Sequence, residues 1–234
     1  MSMKERKKLI IIKTGAANLA SVEAFAKRLG FEPVVSDMMI DVLEGQVVIL
    51  PGVGAFGPAM EKLSQDGLDE AICRRVEQGL PTAGICLGMQ LFFEASEEAP
   101  GSKGLCIFNG TVKRLAGGLP LPQLGWNKIE SESSAHLLES GWVYFANSYR
   151  VGEVAYTYKT TIKGSKCAPF AQNVFDQVAI ASARYGEPFV AALEAWQDAK
   201  PTLLLCQFHP ELSGSFGTRL FSHWIDLNRI GRNV

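Results

Sequence analysis

One cysteine is framed by glycines in a way that suits a nucleophile: Gly84-Ile85-Cys86-Leu87-Gly88. Glycines on both sides permit a tight strand-to-helix turn that projects the central side chain, as in a nucleophile elbow with cysteine in place of serine. A helix opening at that point favours the thiolate, the reactive form. A buried cysteine in a glycine-rich core turn fits the same five residues, so this pattern alone leaves both readings open.

A second segment, Gln207-Phe208-His209-Pro210-Glu211, follows an apolar run. His209 then falls at a strand end, where the active-site groups of open α/β sheets gather. Glu211, two residues on, is placed to hold the imidazole in one tautomer and to stabilise its charged form. The other two histidines, His136 in a polar Ser/Glu stretch and His223 in the last predicted helix, read as structural. A third segment, Pro51-Gly52-Val53-Gly54, can aim main-chain N–H groups at a developing oxyanion, although a plain turn fits it equally. Together the segments supply a nucleophile, a base, an orienting acid and oxyanion donors. That set suits acyl transfer from an amide or ester through a thioester and leaves thiol protease, esterase and amidase open.

The elements that must position these residues change character along the chain. In the first half, Leu9–Ile12, Val47–Leu50 and Thr82–Ile85 are short apolar runs suited to buried strands. Between them, Leu19, Val22, Ala26 and Leu29 follow the cap residue Asn18 at helical spacing and stop at Gly30. Leu68, Ile72 and Val76 share a second helical face that Gly79 ends. Pro51-Gly52 is expected to halt the second strand. Apolar strands alternating with amphipathic helices predict a mostly parallel sheet covered on both faces. From Gly104 to about Leu205 the runs are shorter and alternate more, predicting mainly antiparallel strands. A strand at Leu203–Cys206 and a helix from about Ser213 to Asn228 close the chain.

The composition is that of an ordinary globular protein, nearly half apolar and one-fifth charged over 234 residues. No linker or composition break divides it, so one domain over 1–234 is expected, with 1–8 a flexible leader. A formal net charge of −1 argues against nucleic acid as a partner. No apolar run approaches a bilayer span and no signal-peptide core is present. The five cysteines, Cys73, Cys86, Cys106, Cys167 and Cys206, are odd in number and lack metal-type or disulfide-framework spacing. Free thiols in a reducing, cytoplasmic setting are therefore expected, and neither a metal nor a cofactor is.

Gly84-Ile-Cys-Leu-Gly-Met-Gln90 paired with Gln207-Phe-His-Pro-Glu211 resembles the class I (triad) glutamine amidotransferases. Within them, Pro51-Gly-Val-Gly-Ala-Phe56, Ser96-Glu-Glu98, Gly125-Trp-Asn127 and Tyr144-Phe-Ala-Asn-Ser-Tyr149 resemble the glutaminase subunits of imidazole glycerol phosphate synthase. The resemblance spans about Leu9 to Asn228. It implies a single amidotransferase domain of α/β class, with a central mostly parallel sheet flanked by helices and additional antiparallel strands in the second half. It implies that Cys86, His209 and Glu211 hydrolyse glutamine to glutamate and ammonia through a cysteinyl thioester. The N–H groups of Leu87 and Val53 would bind the oxyanion. Gly52, Gln90, Ser148 and Tyr149 resemble the positions that grip the α-amino and α-carboxylate groups of glutamine.

The resemblance also implies a partner, a (β/α)-barrel cyclase that receives the ammonia and forms imidazole glycerol phosphate and an aminoimidazole carboxamide ribonucleotide in histidine biosynthesis. The chain ends soon after its last helix, so that cyclase is expected as a separate polypeptide. Asn18 and Trp126 resemble residues of the interface with it. Lys13-Thr14-Gly15-Ala16-Ala17 stands where Asp-Tyr-Gly-x-Gly is common, Leu212 where lysine is usual, and Asn147 where histidine is frequent. Two other readings accompany this one: a paralogous amidotransferase feeding another synthase, and a non-catalytic regulatory subunit of the same fold.

Overall fold

The computed structural model describes residues 7–15, 18–152 and 174–230. Its first half runs β1 (Lys8–Ile12), α1 (Leu19–Arg28), β2 (Glu32–Ser36), α2 (Met39–Glu44), β3 (Val48–Gly52), α3 (Phe56–Gln65), α4 (Leu68–Glu77), β4 (Thr82–Cys86) and α5 (Leu87–Gln90). The second half runs β5 (Ala95–Ser96), β6 (Thr111–Arg114), β7 (Gln123–Ser131), β8 (Gly141–Asn147), β9 (Tyr149–Val151), β10 (Gln177–Tyr185), β11 (Glu187–Gln197) and β12 (Lys200–Cys206). A 3-10 turn (Pro210–Leu212) and α6 (Gly214–Leu227) follow.

The main strand path is β2-β1-β3-β4-β12-β11-β10-β7-β8. Its pairs are parallel from β2 to β12 and antiparallel from β12 to β8. The parallel strands are apolar on both faces because each face carries helices. Leu9, Ile11, Ile49, Ile85 and Leu204 pack with Phe25 of α1 and Phe221 and Trp224 of α6. Ile10, Val48, Leu50 and Leu205 pack with Val42, Phe56, Leu63 and Ile72 of α2, α3 and α4. The outer antiparallel strands alternate instead, as in β8, where Val143, Phe145 and Asn147 are buried and Trp142 is exposed.

Four features differ from the sequence expectation. β3 runs on through Pro51 and Gly52, which pair with Ile85 and Cys86. The β1 register stops at Ile49, so Pro51 is paired on one side only and its missing N–H breaks no second ladder. β2 is an edge strand, where Pro33 is tolerated and only two β-branched residues signal it. α3, where no element was expected, carries Gly57 and Pro58 in its first turn, a position at which proline is at home. α5, expected as a helix after the turn at Cys86, is a single turn.

Two buried ionic groups hold the frame. Arg75 of α4 donates to the carbonyls of Val42, Gly45 and Pro81 and to Thr82 Oγ1, tying the end of α2 to the start of β4. Burial lowers its pKa to about 10. Glu194 of β11 accepts the main-chain N–H groups of His136, Leu137 and Leu138 and the Trp196 indole. It thereby pins the connection of the β7–β8 hairpin, which matters for the site below. Cys73 is disulfide-bonded, against the expectation of free thiols, whereas Cys86 and Cys206 are free. Cys167, Ala16, Ala17 and leader residues 1–6 lie outside the described residues. Among the described residues no helix is long and apolar enough to cross a membrane.

Candidate active site

The site is built where three neighbouring parallel strands end. Gly52 of β3 pairs with Cys86 of β4, and Cys206 of β12 pairs with Ile85. Sheet register alone therefore brings the Gly52–Gly54 turn, the elbow and the Gln207–Glu211 segment to one edge. Cys86 sits at φ 55°, ψ −112°, a strained conformation for a residue with a Cβ. Close approach explains the glycines: a Cβ on Gly88 would lie 1.9 Å from the Leu50 carbonyl oxygen. One on Gly52 would lie 2.9 Å from Leu87 Cβ.

His209 is buried, and its Nδ1 bonds to Glu211 Oε1 at 2.8 Å. Glu211 is held in turn by Arg28 of α1, whose Nη2 donates to the Glu211 carbonyl at 3.0 Å. His209 Nε2 has no hydrogen-bond partner. The Cys86 sulfur instead accepts from Gln207 Nε2 at 3.7 Å and donates to the Ala146 carbonyl at 3.9 Å. Burial acts to lower the His209 pKa, but hydrogen bonding and charge from Cys86 and Glu211 outweigh it and push the imidazole up to about 10. Sulfur and imidazole thus interact without a well-aligned hydrogen bond between them. The upward shift favours the charged form of the imidazole beside the sulfur.

A cavity of about 220 Å³ opens in front of the sulfur, lined by Val53, Cys86, Leu87, Gln90, Glu98 and Ser148, among others. It is smaller than the roughly 300–1,000 Å³ of pockets that take drug-sized ligands, so it suits a ligand the size of an amino acid. A larger depression of about 630 Å³ beside Lys113, Arg150 and Glu187 is lined by no cysteine or histidine among the described residues, and its Arg150 and Glu187 pair with each other at 2.6 Å. The family model for class I glutamine amidotransferases matches residues 39–226, a span that contains the elbow, the cavity and the His209–Glu211 pair. The chain belongs to the class I glutamine amidotransferases.

This amidotransferase is 36% identical over 223 residues to an imidazole glycerol phosphate synthase subunit HisH of Symbiobacterium thermophilum, covering 93% of this chain and 92% of that one. It is 38% identical over 214 residues to the subunit of the same name from Methanopyrus kandleri, covering 91% and 94%. A solved glutamine amidotransferase superposes with a TM-score of 0.67 at 18% identity, covering 94% of this chain and 99% of the other, a likeness of fold.

The sequence-predicted residues divide into two groups in this amidotransferase. His209 and Glu211 are hydrogen-bonded and interact with Cys86; Val53, Leu87, Gln90, Ser148 and Tyr149 line the cavity with that cysteine, and Gly52 is its sheet partner on β3. Asn18 and Trp126 are not part of this pocket; both are exposed, Asn18 before α1 and Trp126 on the outward face of β7. Gln90 donates to the Tyr149 carbonyl at 3.0 Å and to Gln207 Oε1 at 2.9 Å, so its amide already has protein partners. Sequence reasoning gave no role to Glu98 or Gln207, although both stood inside the quoted motifs. Glu98 lines the cavity while its Oε2 accepts the Phe56 N–H at 2.8 Å. No local signal singles them out: Glu98 has the acidic neighbour Glu97, and Gln207 stands in a segment whose other polar residues already carried roles.

Proposed function

We propose that the chain is the glutaminase subunit of an imidazole glycerol phosphate synthase and passes ammonia to a separate cyclase in the cytoplasm. The observation that carries the chemical part is the buried His209–Glu211 pair beside a strained cysteine that faces a small cavity. The Cys86 thiolate attacks the side-chain amide carbon of glutamine, and the N–H groups of Leu87 and Val53 take the developing oxyanion. The His209 imidazolium gives its proton to the departing nitrogen, which leaves as ammonia and a thioester remains. His209 then accepts a proton from water as that water attacks the thioester, and glutamate leaves with the thiolate and the imidazolium restored. Glu211 holds the ring's Nδ1 throughout. Gly52, Gln90, Ser148 and Tyr149 hold the α-amino and α-carboxylate groups, and the Glu98 carboxylate supplies a counter-charge for the ammonium.

The partner half rests on relatives named as subunits of that synthase and on an outward apolar surface. Trp126, Leu124 and Leu212 are 55%, 68% and 40% exposed. Trp126 and Asn18 are the docking residues in this reading. The Gly52–Val53 peptide turns its N–H to the oxyanion when the cyclase docks, so the isolated chain is nearly idle. Glutamate release with and without a cyclase and its nucleotide ligand, with Cys86→Ala as control, tests both halves. Strong stimulation lost in the mutant supports the reading. Cys86-dependent release indifferent to the cyclase moves the chain to another synthase, a reading favoured by an apolar Leu212 at the docking face.

A further inference from the structure

The stabilisation of the thiolate needs a source other than a helix dipole, because α5 is one turn long. Gln207, fully buried directly after β12, touches the sulfur from the side opposite in kind to Ala146. The Ala146 carbonyl can only accept, which suits a thiol; an amide N–H can only donate, which suits a thiolate.

The orientation of the Gln207 amide is dictated from outside. The Tyr149 carbonyl only accepts, so the Gln90 group 3.0 Å from it must be the NH₂. That same nitrogen lies 2.9 Å from Gln207, which must therefore offer its oxygen. The Gln207 NH₂ is left facing Cys86 Sγ at 3.7 Å. A hydrogen-bond chain of fixed direction thus runs from a main-chain carbonyl through two buried amides to the nucleophile.

We propose that Gln207 is a further catalytic residue, stabilising the Cys86 thiolate through an N–H···S bond whose polarity the Tyr149–Gln90 pair sets. The proposal rests on the reading of Cys86 as nucleophile. The bond is strongest when the sulfur is anionic, before attack and again when the thioester is hydrolysed and sulfur departs as thiolate. Because Gln90 lines the glutamine cavity, a ligand that engages Gln90 is linked to the sulfur through the same two amides.

The test is the pH dependence of Cys86 alkylation by iodoacetamide in the full chain, read by peptide mass spectrometry, with thermal unfolding as the check on folding. Gln207→Met keeps the volume and removes the donor; the midpoint of the profile is expected to rise by about one pH unit, the size of a lost charge-assisted hydrogen bond. Gln90→Met, which leaves Gln207 in place but unanchored, is expected to move it the same way by less. Unchanged midpoints in both folded variants would reduce Gln207 to packing and overturn the proposal. A fall in Gln207→Met would mean that an oxygen faces an S–H, and would overturn the assigned polarity. Alkylation needs neither glutamine nor a cyclase, so a chain without glutaminase turnover would still report on Gln207, and the two readings fail separately.

Discussion

His209 and Tyr144 are joined main chain to main chain, the His209 N–H donating to the Tyr144 carbonyl at 2.8 Å. The Tyr144 N–H donates to Ser213 Oγ at 3.0 Å, and that hydroxyl donates to the His209 carbonyl at 2.6 Å. The base is therefore clamped to β8, the strand whose Ala146 carbonyl meets the sulfur. On its outward side Tyr144 meets Trp126 edge-on, with ring centroids 6.2 Å apart. The spacing of sulfur and imidazole depends on this hairpin as much as on β4 and β12.

The raised pKa of His209 has a definite sign. A folded-state value of about 10 against an ordinary 6.5 gives stability that is fully present below about 6.5 and is lost as pH rises through about 10. Urea unfolding of wild type and His209→Asn is expected to differ most at pH 6 and to converge towards pH 10. Cys86→Ala removes one of the two groups that raise the value, so the ring's NMR titration midpoint is expected to fall in that variant. A midpoint unmoved by Cys86→Ala would contradict the interaction of sulfur and imidazole.

The strain at Cys86 separates two inactive variants. Glycine accepts φ 55° and alanine does not, so Cys86→Gly is expected to be more stable than Cys86→Ala by about 1–2 kcal/mol in urea unfolding. Neither should release glutamate. Equal stabilities would show that the elbow carries no backbone strain.

Gly88→Ala drives a methyl into the Leu50 carbonyl oxygen, and main chain on both sides leaves little room to yield. A loss of about 3 kcal/mol or more is expected, at the upper end of overpacking costs, with slower alkylation of Cys86 as the elbow shifts. A variant as stable and as reactive as wild type would contradict the close approach of β3 to the elbow.

Trp126→Ala tests the docking reading alone. An exposed aromatic anchor lost from an interface costs about 2 kcal/mol, or roughly 30-fold in affinity for the cyclase by titration. Alkylation of Cys86 in the isolated chain should be unaffected. Undiminished affinity would remove Trp126 from the interface.

The parallel half of the fold, and the placement of Cys86 and His209 at neighbouring strand ends, were legible because short apolar runs and glycine-framed motifs are local signals. Thr82–Ile85, Leu203–Cys206 and the elbow all sit where the pattern put them. The edge strand at Glu32–Ser36 and the helix at Phe56–Gln65 were hidden by prolines whose tolerance depends on edge position and first-turn position, facts that belong to three dimensions. Gln207 was hidden for a similar reason. Its significance lies in contacts with Gln90 and Cys86, 117 and 121 residues away, which no spacing in the sequence records.

The β7–β8 hairpin also constrains how such a protein can change by descent. Leu124, Trp126 and Trp142 look outward, while Asn147 and Gln123, paired across the two strands, look inward beside the site. Gaining or losing one residue in either strand would exchange the two sets at a stroke. Recognition of a new partner must therefore be reached by replacing outward side chains one at a time.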